Sequence, residues 1–102
     1  ARAVALHAPA VAQLVAFIER AEQTALGVAN AHGVGALRDN PDAMGTSLDM
    51  LRRAAATLLR LAERAENRPL LRRHERRLLS LVMSQILDQK VALELAHVLW
   101  HC

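Results

Sequence analysis

The stretch Leu78-Leu-Ser-Leu-Val-Met-Ser-Gln-Ile-Leu-Asp-Gln-Lys-Val-Ala-Leu-Glu-Leu-Ala-His-Val-Leu-Trp100 decides the fold class. It holds no Gly or Pro, and 15 of its 23 residues are apolar. Wound as one helix, those apolar residues go all the way round, so the helix has to be buried on more than one side. Upstream, Pro69 suits a first helical position, where its missing N–H costs nothing. The pattern therefore predicts a rod over about 69–100, roughly 50 Å long at 1.5 Å per residue.

Working outward, two shorter helices precede the rod. Val11, Leu14, Val15, Ile18, Ala21, Ala25 and Val28 recur at three- and four-residue steps behind Pro9. That predicts an amphipathic helix over about 9–31, stopped by Gly33 and Gly35. Thr46-Ser47-Leu48-Asp49 reads as a capping box for a second helix over about 47–67, with Leu48, Leu51, Ala55, Leu58 and Ala62 as its apolar stripe. Between them, 33–46 is a connection centred on Arg38-Asp39-Asn40-Pro41-Asp42. Its Val34, Leu37 and Met44 either pack back on the helices or meet a partner, and Phe17 is a further candidate for meeting one.

Length and composition support this reading. The chain of 102 residues has room for one domain, 1–102, and is rich in the strong helix formers Ala, Leu, Arg, Glu and Gln. Aromatics make up 2%, Phe17 and Trp100. No twenty-residue uncharged run could span a membrane. A single cysteine, Cys102, allows no disulfide framework and fits a reducing cytoplasm. The Ala-, Arg- and Leu-rich texture without Tyr suggests a GC-rich bacterial source. The expected fold is all-α, a three-helix chain whose long C-terminal helix completes a bundle with a second copy. Two partners of about twenty residues hardly cover such a rod, and a two-fold dimer is the commonest soluble solution. The dimer interface would fall on Leu78, Leu79, Val82, Met83, Ile86, Leu93 and Trp100.

Charge is uneven. Arg52 to Arg77 holds nine of the 13 basic residues against Glu63, Glu66 and Glu75, which is +6 there and −3 elsewhere. Arg68, Arg72, Arg73, Arg76 and Arg77 form a basic patch that is either a solvated helix start or an anion site. No aromatic is interleaved for base stacking, and no helix-turn-helix signature is present, so nucleic acid is an unfavoured partner. Arg68-x5-His74 resembles the loose Arg-x4-6-His motif of HEPN-type ribonucleases. That resemblance implies metal-independent RNA cleavage, with His74 as acid/base and Arg68 steadying the phosphate. Glu94-x2-His97 with His101 and Cys102 has metal-like spacing, but a di-iron bundle needs a second Glu-x-x-His that the chain lacks. No phosphate loop, Ser/His/Asp set or Cys-x-x-Cys occurs. No enzyme activity, metal or cofactor is expected.

Size, helix arrangement and texture, in segments such as Val4-Ala-Leu-His-Ala-Pro-Ala10 and Leu78-Leu-Ser-Leu-Val-Met-Ser84, resemble the small helical antiactivators of pseudomonad quorum sensing, the QslA type. That resemblance implies a regulator that binds a LuxR-type activator such as LasR and blocks its dimerisation or DNA binding. No motif fixes residue roles. Surplus apolar surface without a catalytic set leads independently to an interaction module.

Overall fold

The computed structural model describes the backbone of residues 2–102 and the side chains from Ala8 onward. Helix α1, Arg2–His32, runs 31 residues, about 46 Å at 1.5 Å per residue. That length matches the 46 Å long axis of the molecule. Its buried stripe is Val11, Val15, Ile18, Ala21 and Ala25, spaced three or four apart. Pro9 lies inside the helix rather than opening it near residue 9. Proline forfeits its own N–H bond there, but Ala and Leu on both sides are strong helix formers. The helix stops where Gly33 adopts φ 85°, a conformation that favours glycine, and the Gly33 N–H donates to Ala29 O at 2.8 Å.

The 33–46 connection carries structure of its own. Helix α2 covers Val34–Asp39, and a 3-10 turn, Pro41–Met44, follows it. Both pack against α1. Gly45, at φ 93°, turns the chain into helix α3, Leu48–Ala62. The cap is Ser47, whose hydroxyl accepts from Met50 N at 3.1 Å; Thr46 does not serve. Buried Leu51, Ala54, Ala55, Leu58 and Ala62 line one face of α3.

Helix α3 ends at Ala62, short of 67, because two later side chains complete its last turn. Asn67 Nδ2 donates to Leu61 O at 3.1 Å, and Arg68 Nε donates to Ala62 O at 3.3 Å. Carbonyls at a helix end lack intrahelical donors, and these two groups supply them. Asn67 is fully buried, and a 3-10 turn, Ala65–Asn67, brings it into place.

The single rod over 69–100 is not formed. The segment makes helices α4 (Arg68–Arg72), α5 (Glu75–Val82) and α6 (Gln89–His101). The break before α5 falls at His74, whose N–H donates to Leu71 O at 3.0 Å. The break before α6 is made by two short polar side chains. Ser84 Oγ accepts from Ile86 N at 3.2 Å and Leu87 N at 3.3 Å, and Asp88 caps α6 by accepting from Val91 N at 3.3 Å. Helix α6 then packs against both α5 and α3. Leu78 and Leu81 of α5, Leu87 of the link, and Val91, Leu95 and Val98 of α6 all enter the same core as the α1 and α3 stripes. Apolarity that circles a continuous helix becomes two one-sided stripes once the chain reverses. The stretch is therefore largely covered from within, and a second copy is not needed to bury it.

The class is all-α: the described residues contain six helices and two 3-10 turns, and no strand. Among them no helix is long and apolar enough to cross a membrane.

Candidate interaction surface

Among the described residues, three of the five arginines in the predicted basic patch have no side-chain partner. Arg77 reaches from α5 to α1, where its guanidinium grips both carboxylate oxygens of Glu19, the Nε–Oε2 bond at 2.9 Å. Its Nη1 also meets His74 Nδ1 at 3.0 Å. Arg77 holds the Glu19 carboxyl below its usual range, and burial, helped by the Arg77 charge, pulls the His74 imidazole below its own. Arg68 is spent capping α3. By contrast Arg72, Arg73 and Arg76 are exposed, and among the described residues none is paired with a carboxylate. Arg68 and His74, the pair of the ribonuclease-like motif, are thus committed to different partners.

A second ion pair ties α3 to α6. Arg52 Nε donates to Asp88 Oδ2 at 3.1 Å and Nη2 to Oδ1 at 3.2 Å. Asp88 is held below the usual carboxylate range by Arg52, with help from the Val91 N–H. Sequence spacing gave no signal for either clamp, since the partners lie 58 and 36 residues apart.

The apolar candidates divide in the same way. Leu78 is fully buried, while Val82 and Ile86 are half-buried against the core. Leu79, Met83, Leu93 and Trp100 stand out at 51%, 74%, 58% and 83% exposure. Of the connection residues, Met44 is buried, Leu37 is half-buried and Val34 is exposed. Phe17 is half-buried beside Met44, Gly45 and Thr46 in a shallow groove. Ala21, Leu37, Met44, Leu48, Leu51 and Ile86 line a small, half-open cavity of about 160 Å³ with Glu22 and Asp88 among its walls. Leu26 and Met50 are also exposed; both lie off their helices' buried stripes, which is the signal that finds them.

Among the described residues no three His, Cys, Asp or Glu side chains lie together as a metal-ligand set. Cys102 donates its thiol to Val98 O at 3.4 Å, and burial pushes that thiol upward, away from the reactive thiolate. The described residues form a clamped helical body with exposed apolar side chains on α5 and α6 and unpaired arginines on α4 and α5 and in the turn between them.

Comparison with known proteins gives that surface a context. Residues 1–51 match the family model of the SWI/SNF-like complex subunit BAF250/Osa. The chain is 66% identical over 100 residues, 98% of its length, to the Trithorax group protein osa of Drosophila yakuba and to that of Drosophila melanogaster. It spans 31% of the first relative and 4% of the second. No solved structure matches.

These matches overturn the resemblance to QslA-type antiactivators and the quorum-sensing role that it implied, because the relatives are insect proteins of a complex-subunit family. The bacterial source and the cytoplasmic location fall with them. A second copy or a LuxR-type activator as partner is likewise replaced, since the family is described by its place in a multi-subunit complex. Neither the ribonuclease nor the nucleic-acid alternative gains support. The error lay in reading helical texture, which unrelated all-α proteins share, as kinship. The family model covers half of the chain, and the chain belongs to the BAF250/Osa family of SWI/SNF-like complex subunits.

Proposed function

We propose that residues 1–102 form one non-catalytic helical domain that helps hold a BAF250/Osa-type subunit within a SWI/SNF-like chromatin-remodelling complex in the nucleus. The observation that carries this is the family match, together with 66% identity along nearly the whole chain to Trithorax group osa proteins. The geometry supports it. Four ionisable side chains, Glu19 with Arg77 and Arg52 with Asp88, form clamps between helices, whereas large apolar side chains project outward on α5 and α6. A domain that binds other subunits needs that outward surface.

The test is purification of the tagged polypeptide from insect-cell nuclear extract, followed by mass spectrometry. Recovery of other SWI/SNF-like subunits in constant proportion is the expected result. Their absence, with the tagged polypeptide soluble and folded, overturns the reading.

A further inference from the structure

The apolar stripe of α1 narrows along its length. Val11, Val15 and Ile18 give way to Ala21 and Ala25, whose single methyl groups leave room where larger side chains stood before. Three other parts of the chain surround that stretch without filling it. They are the 33–46 connection with Leu37, Pro41 and Met44, the start of α3 with Leu48 and Leu51, and the link 83–88 between α5 and α6 with Ile86. What remains is the half-open cavity of about 160 Å³. Ala21, Ala25, Met44 and Leu51 are buried, whereas Leu37, Leu48 and Ile86 are half-buried and mark its open side.

Size decides what kind of group fits. An apolar cavity of about 150 Å³ holds one benzene ring, while pockets for drug-sized ligands and cofactors run to about 300–1,000 Å³. This cavity therefore takes one phenyl-sized group and leaves the rest of the bound molecule outside. In protein interfaces such a pocket receives a single anchoring side chain. Charge narrows the choice. Glu22 and Asp88 stand among the walls. Asp88 is satisfied: both of its oxygens accept from Arg52, and Oδ2 also accepts from Val91 N. Glu22 is not. Among the described residues it pairs with no cation, and its one hydrogen-bond partner is the Ser84 hydroxyl, 3.5 Å from Oε2. The uncompensated charge at the cavity is thus one carboxylate. It favours a cation beside the anchor and disfavours an acidic segment or a nucleic acid.

We propose that the cavity receives one phenylalanine side chain from another subunit, with a lysine or arginine next to it in that subunit pairing with Glu22. This rests on the reading of the chain as a complex-subunit domain and names the chemistry of one contact.

Benzylamine and benzoate, one phenyl ring with opposite charges at neutral pH, test the cavity in the 102-residue polypeptide. Followed through the methyl NMR signals of Leu48, Leu51 and Ile86, benzylamine binds about fivefold more tightly than benzoate, the size of one partly exposed ion pair. Glu22→Gln removes that preference. Ala25→Leu, which fills the cavity from α1, abolishes binding of both; if it fails to fold, the Glu22→Gln comparison still decides. Unmoved methyl signals, equal binding of the two probes, or a preference that survives Glu22→Gln overturns the proposal. The partner is tested by Glu22→Lys in the tagged polypeptide purified from nuclear extract. At least one subunit held by the unaltered chain is lost. Glu63→Lys, the same charge change at an exposed site that does not line the cavity, keeps them all. Retention of every subunit by Glu22→Lys overturns the proposal, as does a dimer that this variant dissolves, the occupant then being a second copy. If the unaltered chain recovers no subunits at all, the functional reading fails instead, whatever the probes show in the cavity.

Discussion

Helix α1 and the segment 68–101 present similar material to the solvent and fold differently. Helix α1 contains a proline yet stays one helix of 31 residues. The C-terminal segment has no Gly or Pro after Pro69 yet makes three helices. Neither proline nor glycine therefore decides where the 83–88 link bends the chain. Short polar side chains do, where they offer the backbone a better acceptor than the next turn of helix provides. Ser84 accepts two N–H groups and Asp88 a third, while no such acceptor interrupts α1 between Val11 and Ala25. Tertiary packing rewards the bend, because reversal puts Leu78 and Leu95 into one core.

The largest expected effect comes from removing that reward. Leu95→Ala empties a fully buried site on α6 and should destabilise the protein by about 2–5 kcal/mol, the range for truncating a buried leucine. Leu26→Ala on the exposed side of α1 should stay within about 0.5 kcal/mol. Urea unfolding followed by circular dichroism separates the two through the midpoint at constant slope. A small effect at Leu95 would mean that the α5–α6 hairpin does not share the core of α1.

Asp88 comes next, because it both caps α6 and pairs with Arg52. Asp88→Ala should cost about 1 kcal/mol through the lost cap, with the solvent-screened pair adding less. The pH dependence has a fixed sign. Arg52 lowers the folded-state pKa of Asp88 from its ordinary 3.8, and Arg77 lowers that of Glu19 from 4.5. A depressed carboxylate stabilises fully above its ordinary value, and that contribution is lost as pH falls through the folded value. Stability should fall on acidification below 4.5, and the fall should be shallower in Asp88→Ala. An unchanged slope in the variant would remove Asp88 from the account.

The fold was legible where the signals are local. Alternation of apolar residues marks the α1 and α3 stripes, Gly33 stops α1, and the composition marks the all-α class. It was not legible where the deciding partner is distant. Nothing near Asn67 shows that its amide finishes α3, and nothing near Glu19 shows that Arg77 comes to it. Exposure of the candidate surface residues was legible only in part, for the same reason. Leu79, Met83, Leu93 and Trp100 are exposed among the residues expected at an interface, but Leu78 is not, because its burial depends on the reversal at 83–88. Reading that stretch as one helix made a second copy look necessary.

Ser84→Ala probes that reversal directly and carries the smallest effect. Its hydroxyl is the acceptor for the N–H groups of Ile86 and Leu87, both partly buried bonds, and it lies 3.5 Å from Glu22 Oε2 on α1. Alanine removes the acceptor and restores a strong helix former at the bend. If the side chain makes the break, the variant loses about 1 kcal/mol and gains helical signal, as α5 extends toward Ile86. Such an extension would carry Leu87 out of the core, so helicity and stability would move in opposite directions. If packing alone makes the break, the bend persists and helicity is unchanged while stability falls only slightly. Far-ultraviolet dichroism and the urea midpoint, measured on the same sample, tell the two apart.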